Sequence, residues 1–371
     1  MSNRILSVFS TACVSVLLLS GLLGRGCMQV ALADDATTAP AASTAPAATT
    51  DPTAAAVSTT ATTVTRTVES APMAASSKPM EQIKEMQGHI GWIKALNFSA
   101  DGQRAVSGSE DKSARIWDLA SGKELARLDG NNGMIGAVLF SPDGRTVVTG
   151  CDDFLVKTWD ASSGALVRTM TGHKNSVRAL AISPDGQKLL SGDFDGTVKA
   201  WDFNTGALKV SAAVAPSAVH AIAFSPDGRT ALLGMEDHSL RLVDADTLAP
   251  LAVMSGHTDT VLSVAFSSDG KNAVTGGADT RVIIWDMVAK APVTKLMGHS
   301  DWVSDVTYTA DGRSIMSGSL DKTANRWNAS SSQLDCKYTG LTAGWAFAFS
   351  GDGSQLLSGS DSKSVVLYRL P

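Results

Sequence analysis

The amino-acid sequence predicts an all-β fold, a seven-bladed β-propeller with four antiparallel strands in each blade and the last blade closed by the N-terminal strand. Two observations carry that expectation. Several separate markers recur at one fixed interval along most of the chain, and between them short runs of alternating apolar and polar residues are divided by turn signals. A step of 42 residues leads from Trp117-Asp118 to Trp159-Asp160, and then to Trp201-Asp202, Val243-Asp244, Trp285-Asp286 and Trp327-Asn328. The same step joins Gly88-His89, Gly130-Asn131, Gly172-His173, Val214-Ala215, Gly256-His257, Gly298-His299 and Gly340-Leu341. It also joins the Asp-Gly pairs that begin at Asp101, Asp143, Asp185, Asp227, Asp269 and Asp311; the seventh unit, with Asp352-Gly353, is one residue shorter.

Within a unit, Asp-Gly is a hairpin signal because glycine accepts the positive φ of a tight turn, and Ser-Gly or Thr-Gly turns near Gly122, Gly164 and Gly206 bound a further strand. That spacing gives four short strands. A lone four-stranded sheet would leave apolar residues bare on both faces, so the units must stack side by side, and closing the ring leaves no bare end. The seventh unit reaches Pro371 after its third strand, Val365 to Leu370, while Glu81 to Gln87 stands before the first Gly-His pair with no other blade to join. This segment is expected to complete blade seven.

The markers resemble those of the WD-repeat family, whose unit runs from a Gly-His pair to a Trp-Asp pair in a four-stranded blade. The resemblance covers residues 81–371, with units starting near 88, 130, 172, 214, 256, 298 and 340. With the leader described below, it suggests an exported, bacterial-type member. It implies a structural tetrad inside a blade: His89, Ser107, Asp111 and Trp117 in blade one, and His173, Ser191, Asp195 and Trp201 in blade three. The sets for blades five and six are His257, Thr275, Asp279, Trp285 and His299, Ser317, Asp321, Trp327. Blade two keeps Thr149, Asp153 and Trp159 but has Asn131 for His. Blade four has Ala215, Leu233 and Val243 beside Asp237, and blade seven has Leu341, Ser358, Ser362 and Tyr368. Blade four should therefore have an apolar core, and the network of blade seven should be broken. A Ser, His and Asp set also admits a catalytic-triad reading, but its recurrence in four blades argues for a building block. The four histidines sit in four blades, too dispersed for a tetrahedral zinc site. No catalytic residue, metal or cofactor is expected.

Counting from the His position, Ile93, Ile135, Val177, Val219, Val261 and Val303 stand four residues on and should pack, as should Phe98, Phe140, Ile182, Phe224, Phe266 and Tyr308 nine residues on. Positions three and five are then left to face the mouth of the central channel. There the repeat stops repeating. Position three holds Trp92, Met134, Ser176, Ala218, Thr260 and Trp302, with Trp345 as the nearest equivalent in blade seven. Around the ring Trp302, Trp345, Trp92 and Met134 form one apolar arc. Position five holds Lys94, Gly136, Arg178, His220, Leu262 and Ser304, and before each tetrad Asp stand Glu110, Asp152, Phe194, Glu236, Ala278 and Leu320. The resemblance implies that this narrow face contacts peptides. The candidate partner-binding residues are Trp92, Lys94, Met134, Arg178, Phe194, His220, Trp302, Leu320 and Trp345; the alternative is that each Trp merely caps its own blade.

A formal net charge of -5 leaves no broad electropositive surface, which argues against nucleic acid as a partner. The first 33 residues have the layout of a signal peptide: Arg4, an apolar run from Ile5 to Leu23, and Ala31-Leu32-Ala33 before Asp34. An uncleaved anchor is the alternative, and membrane attachment is expected only through this segment. Residues 34–80, dominated by Ala, Thr, Ser and Pro, read as a disordered linker. Cys13 and Cys27 fall in the leader, leaving Cys151 and Cys336 on non-adjacent blades as two free thiols. The expectation is a monomeric, non-catalytic scaffold, exported to the periplasm or outside the cell, that binds a protein or peptide. The alternatives are a propeller-based envelope enzyme, which the uninterrupted repeats leave few loops to support, and a purely structural envelope component.

Overall fold

The heads of six inner strands are built the same way. Ile93, Ile135, Val177, Val219, Val261 and Val303 are all 0% exposed. They begin the strands Ile93–Phe98, Ile135–Phe140, Val177–Ile182, Val219–Phe224, Val261–Phe266 and Val303–Tyr308, and Ala346–Phe349 is the seventh of the set. The computed structural model describes residues 68–70, 76–341 and 344–371. All the described residues belong to one compact unit within residues 64–371.

In blade one the strands Ile93–Phe98, Arg104–Ser109, Ala114–Asp118 and Glu124–Leu128 pair antiparallel in that order, and the next five blades repeat the pattern. The first hairpin turns where predicted: the Asp101 carboxylate accepts the Ser99 hydroxyl and the Gln103 N–H, and Gly102 takes a φ of 66°. In blade seven, Ala346–Phe349, Gln355–Gly359 and Val365–Arg369 are joined by Glu81–Met86, with Glu81 opposite Arg369 and Met86 opposite Val365. The N-terminal strand closes the last blade, as expected. Each inner strand packs on the next, and Ala346–Phe349 returns to Ile93–Phe98.

The core lies between blades rather than in one centre. Ile93, Leu96, Ala105 and Trp117 of blade one, for example, pack with Leu357, Val365 and Leu367 of blade seven. A glycine in each second strand makes the close approach possible. A Cβ added to Gly150 would lie 2.9 Å from a Val177 methyl of the next blade, and at Gly192, Gly234 and Gly276 it would lie 2.7, 3.0 and 2.8 Å from Val219, Val261 and Val303. Gly108 stands in the same way against Ile135, Gly318 against Phe347 and Gly359 against Ile93.

The region expected to be a linker without structure through Met80 departs from that reading in its described part. Val68–Ser70 pairs in parallel with Ala291–Leu296 of blade five, and Ser76–Pro79 pairs in parallel with Leu334–Thr339 of blade six. The reason is that an outer strand presents a row of backbone N–H and C=O groups that accept a neighbouring strand whatever its hydrophobicity. Cys151 and Cys336 are free and buried. The segment expected to be a signal peptide, with Cys13 and Cys27, and residues 34–67 lie outside the described residues.

Deleting residues 81–87 removes the closing strand, with Met86 buried and Ile83 packed against the core. Loss of two such side chains costs about 3–5 kcal/mol, so thermal unfolding should stay one transition and fall by roughly 10 °C. An unchanged melting temperature contradicts this role.

Candidate functional site

Four blades carry a closed polar relay. In blade one, His89 Nδ1 lies 2.8 Å from Asp111 and Nε2 2.7 Å from Ser107 Oγ, which also accepts the Trp117 indole N–H at 2.8 Å. Blades five and six repeat it through Thr275 and Ser317. In blade three the acid differs from the expected one: His173 Nδ1 lies 2.7 Å from Asp193, not Asp195, which instead accepts the Asn175 side-chain amide. Asp193 occupies the place of Ser109 in blade one, at the end of the second strand and two residues nearer in sequence, and is 1% exposed. Burial leaves it the better partner for a buried imidazole. Blade two replaces the histidine with Lys157, whose ammonium reaches Asp153 at 2.7 Å and Asn131 Oδ1 at 3.2 Å. Blade four is apolar here, with Leu233 and Val243 buried. In blade seven the Ser358 hydroxyl is buried without a partner, so that network is broken.

Burial works to raise the Asp111 carboxyl, but hydrogen bonds from His89, Ser113 and two backbone N–H groups outweigh it and hold the group well below the usual carboxylate range. Asp279 and Asp321 are lowered by the same balance.

Beside these relays, one backbone hydrogen bond in each of the first six blades joins position three to the residue before the expected tetrad Asp. The Glu110, Asp152, Phe194, Glu236, Ala278 and Leu320 N–H groups donate to the carbonyls of Trp92, Met134, Ser176, Ala218, Thr260 and Trp302 at 2.9–3.1 Å. Side chains of adjacent blades therefore meet at one level. Trp92 and Trp345 stack with ring centroids 6.3 Å apart and planes at 16°, and Trp302 meets Trp345 edge-on at 6.5 Å. The Lys94 ammonium lies 4.8 Å from the Trp92 ring centre and 5.4 Å from that of Trp345, held by Glu110 at 2.9 Å. Leu320 joins this side through its backbone.

The opposite side is polar. Arg178 pairs with Asp152 at 2.9 Å, lies 4.0 Å from Met134 Sδ and 5.1 Å from the Phe194 ring, and Phe194 meets His220 edge-on at 5.8 Å. Lys94 and Trp345 of the first side and Arg178 and His220 of the second line the central channel, a cavity of ≈ 330 Å³ walled by all seven inner strands. One lining residue was missed from sequence. Asp305 stands where blades one to four have Ala95, Ala137, Ala179 and Ala221 and blade five has Ser263, and that break in the repeat could have marked it. Burial pushes its carboxyl up to about 7 against a hydrogen bond from Ser263.

Comparison with known proteins places seven matches to the family described as WD domain, G-beta repeat, at residues 80–118, 122–160, 164–202, 211–244, 248–286, 290–328 and 336–369. Among individual relatives, the vegetative incompatibility protein HET-E-1 of Podospora anserina is 54% identical over 37 residues, 10% of this chain and 3% of that protein. Human pleiotropic regulator 1 is 40% identical over 45 residues, 12% of this chain and 9% of its own length. The pre-mRNA-splicing factor PRP46 of Yarrowia lipolytica is 40% identical over 45 residues, 12% and 10%. The chain thus spans a tenth or less of the length of each of these relatives. They also overturn the expected exported, bacterial-type placement: they are fungal and human proteins, named for splicing, regulation and incompatibility, not for the envelope.

Two outcomes test the relays. Asp193→Ala, by stranding the buried His173, should cost about 1–3 kcal/mol in urea unfolding, whereas Asp195→Ala should stay within about 0.5 kcal/mol; the reverse order contradicts the assignment. Because Asp111, Asp279 and Asp321 are lowered in the folded state, their contribution is complete above the unfolded value of about 4 and is lost as pH falls below it. Urea midpoints should drop steadily between about pH 4 and pH 2, and less so in Asp111→Asn.

Proposed function

This chain belongs to the WD-domain, G-beta repeat family, whose propellers are in general non-catalytic scaffolds for protein interaction, and from that membership we propose that a protein segment binds across its indole cluster. The observation that carries the reading is the meeting of Trp302, Trp345 and Trp92, from blades six, seven and one, at the channel mouth. Packing within a blade does not require an indole there, since Ser176 and Thr260 fill the same position in blades three and five. All three are half-buried, so each presents ring surface while its neighbours hold it rigid. Rigid, partly exposed Trp beside a paired cation is the composition of an interface hot spot. The net charge of -5 favours protein over nucleic acid. The His, Ser and Asp sets support blades rather than chemistry: their His and Asp side chains are at most 4% exposed, which closes them to a substrate.

Comparing proteins crosslinked to the full chain with those crosslinked to Trp92→Ala/Trp302→Ala tests the reading. The double variant should keep its fold and lose at least one wild-type partner; an identical partner set held with equal affinity contradicts it.

A further inference from the structure

We propose that the polar side of the same face is a carboxylate site, in which Arg178 and His220 take an Asp or Glu side chain from the segment bound by the indoles. The inference rests on the preceding reading of this face and adds the chemistry of the partner. It starts from a hole in the repeat. Gly136 stands in blade two where other blades carry Lys94, His220, Leu262 and Ser304, and a Cβ there would lie 2.6 Å from Arg178 Nη1 and 2.7 Å from its Cδ. The missing side chain is the berth of the guanidinium, which reaches across from blade three.

Once berthed, the guanidinium is fixed on three sides, by Asp152 at Nη2, by Met134 at Nη1 and by the face of Phe194. Its Nε remains buried without a hydrogen-bond partner. So does His220 Nε2, on the adjacent inner strand. Both residues line the channel, and the Phe194 ring touches both. Two buried, unpartnered nitrogens on residues that line one cavity carry a desolvation cost that a ligand accepting from both removes. A guanidinium has five N–H donors, and Asp152 meets it only as an ion pair at Nη2, its Oδ1 accepting no hydrogen bond, so donors remain for a second acceptor. A neutral carbonyl oxygen could accept from both donors but would bring no charge to the guanidinium. A carboxylate has two oxygens, accepts from both, and adds charge that favours the protonated imidazole.

The charged groups facing His220 are Glu236 of its own blade and Arg178 of blade three; Leu262 of blade five brings none. Burial keeps the imidazole below its ordinary value, and Arg178 adds to this while Glu236 opposes it. A bound carboxylate draws a proton onto His220, so binding should tighten as pH falls from about 7 to 5.

The experiment is selection of linear peptides from a displayed random library on the immobilised full chain. Wild type should enrich peptides that pair a large apolar residue with Asp or Glu. A recovered peptide should lose about tenfold or more in affinity when its acid becomes the amide, and a similar amount on Arg178→Gln. A C-terminal amide on the same peptide should change nothing, which separates a side-chain carboxylate from a chain terminus. The gain on acidification should vanish in His220→Phe. Enrichment of apolar residues without an acid, or an acid-to-amide swap without effect on wild type, overturns the carboxylate site while leaving the indole reading intact. Failure of wild type to enrich any peptide, with enrichment on a known peptide-binding control, overturns both. The peptide swap on wild-type protein decides the matter even if Arg178→Gln misfolds.

Discussion

A branched or aromatic side chain at the head of each inner strand, seated against a glycine of the preceding blade, is the contact on which the rest of the ring depends. It occurs seven times, and the seventh, Gly359 against Ile93, joins the last blade to the first. Because a Cβ at any of these glycines would lie inside ordinary contact distance, neighbouring sheets approach more closely than two sheets bearing side chains could. The joint also sets the heads of adjacent inner strands side by side. Trp92 can stack on Trp345, and Arg178 can lie over Gly136, only because the blades that carry them are held at that spacing.

The polar relays are cohesive but replaceable. Blade two substitutes Lys157, blade three moves the acid to Asp193, and blade four omits the relay and fills the space with Leu233 and Val243. Interblade packing is common to all seven, so it, rather than the relay, defines the blade. Residues free of both duties cluster at positions three and five and before the tetrad acids, which is why chemical variety collects on one face.

Periodicity made the fold legible: the interval, the Asp-Gly turns and the unpaired Glu81–Met86 segment together require a closed ring of seven, and the sheet pairing agrees. The level at which the repeat varies was legible too, since period-two alternation decides which residues leave the core. Side-chain reach was not. Nothing in the repeat says that the His173 ring turns to Asp193, or that Arg178 crosses into blade two; both depend on which acid or gap a long side chain meets in three dimensions. Asp305 escaped notice because it interrupts a run of alanines rather than a conspicuous marker. The parallel strands Val68–Ser70 and Ser76–Pro79 were hidden by composition, since backbone pairing at a sheet edge needs no apolar pattern.

The glycine joint at ring closure can be measured by thermal unfolding of Gly359→Ala beside Gly351→Ala. An added Cβ at Gly359 meets Ile93 and Leu96, whereas at Gly351 it meets nothing within 4 Å. If close interblade approach holds the ring, Gly359→Ala should lose about 1–3 kcal/mol through overpacking and Gly351→Ala should be close to neutral. Equal stability of the two variants would contradict it.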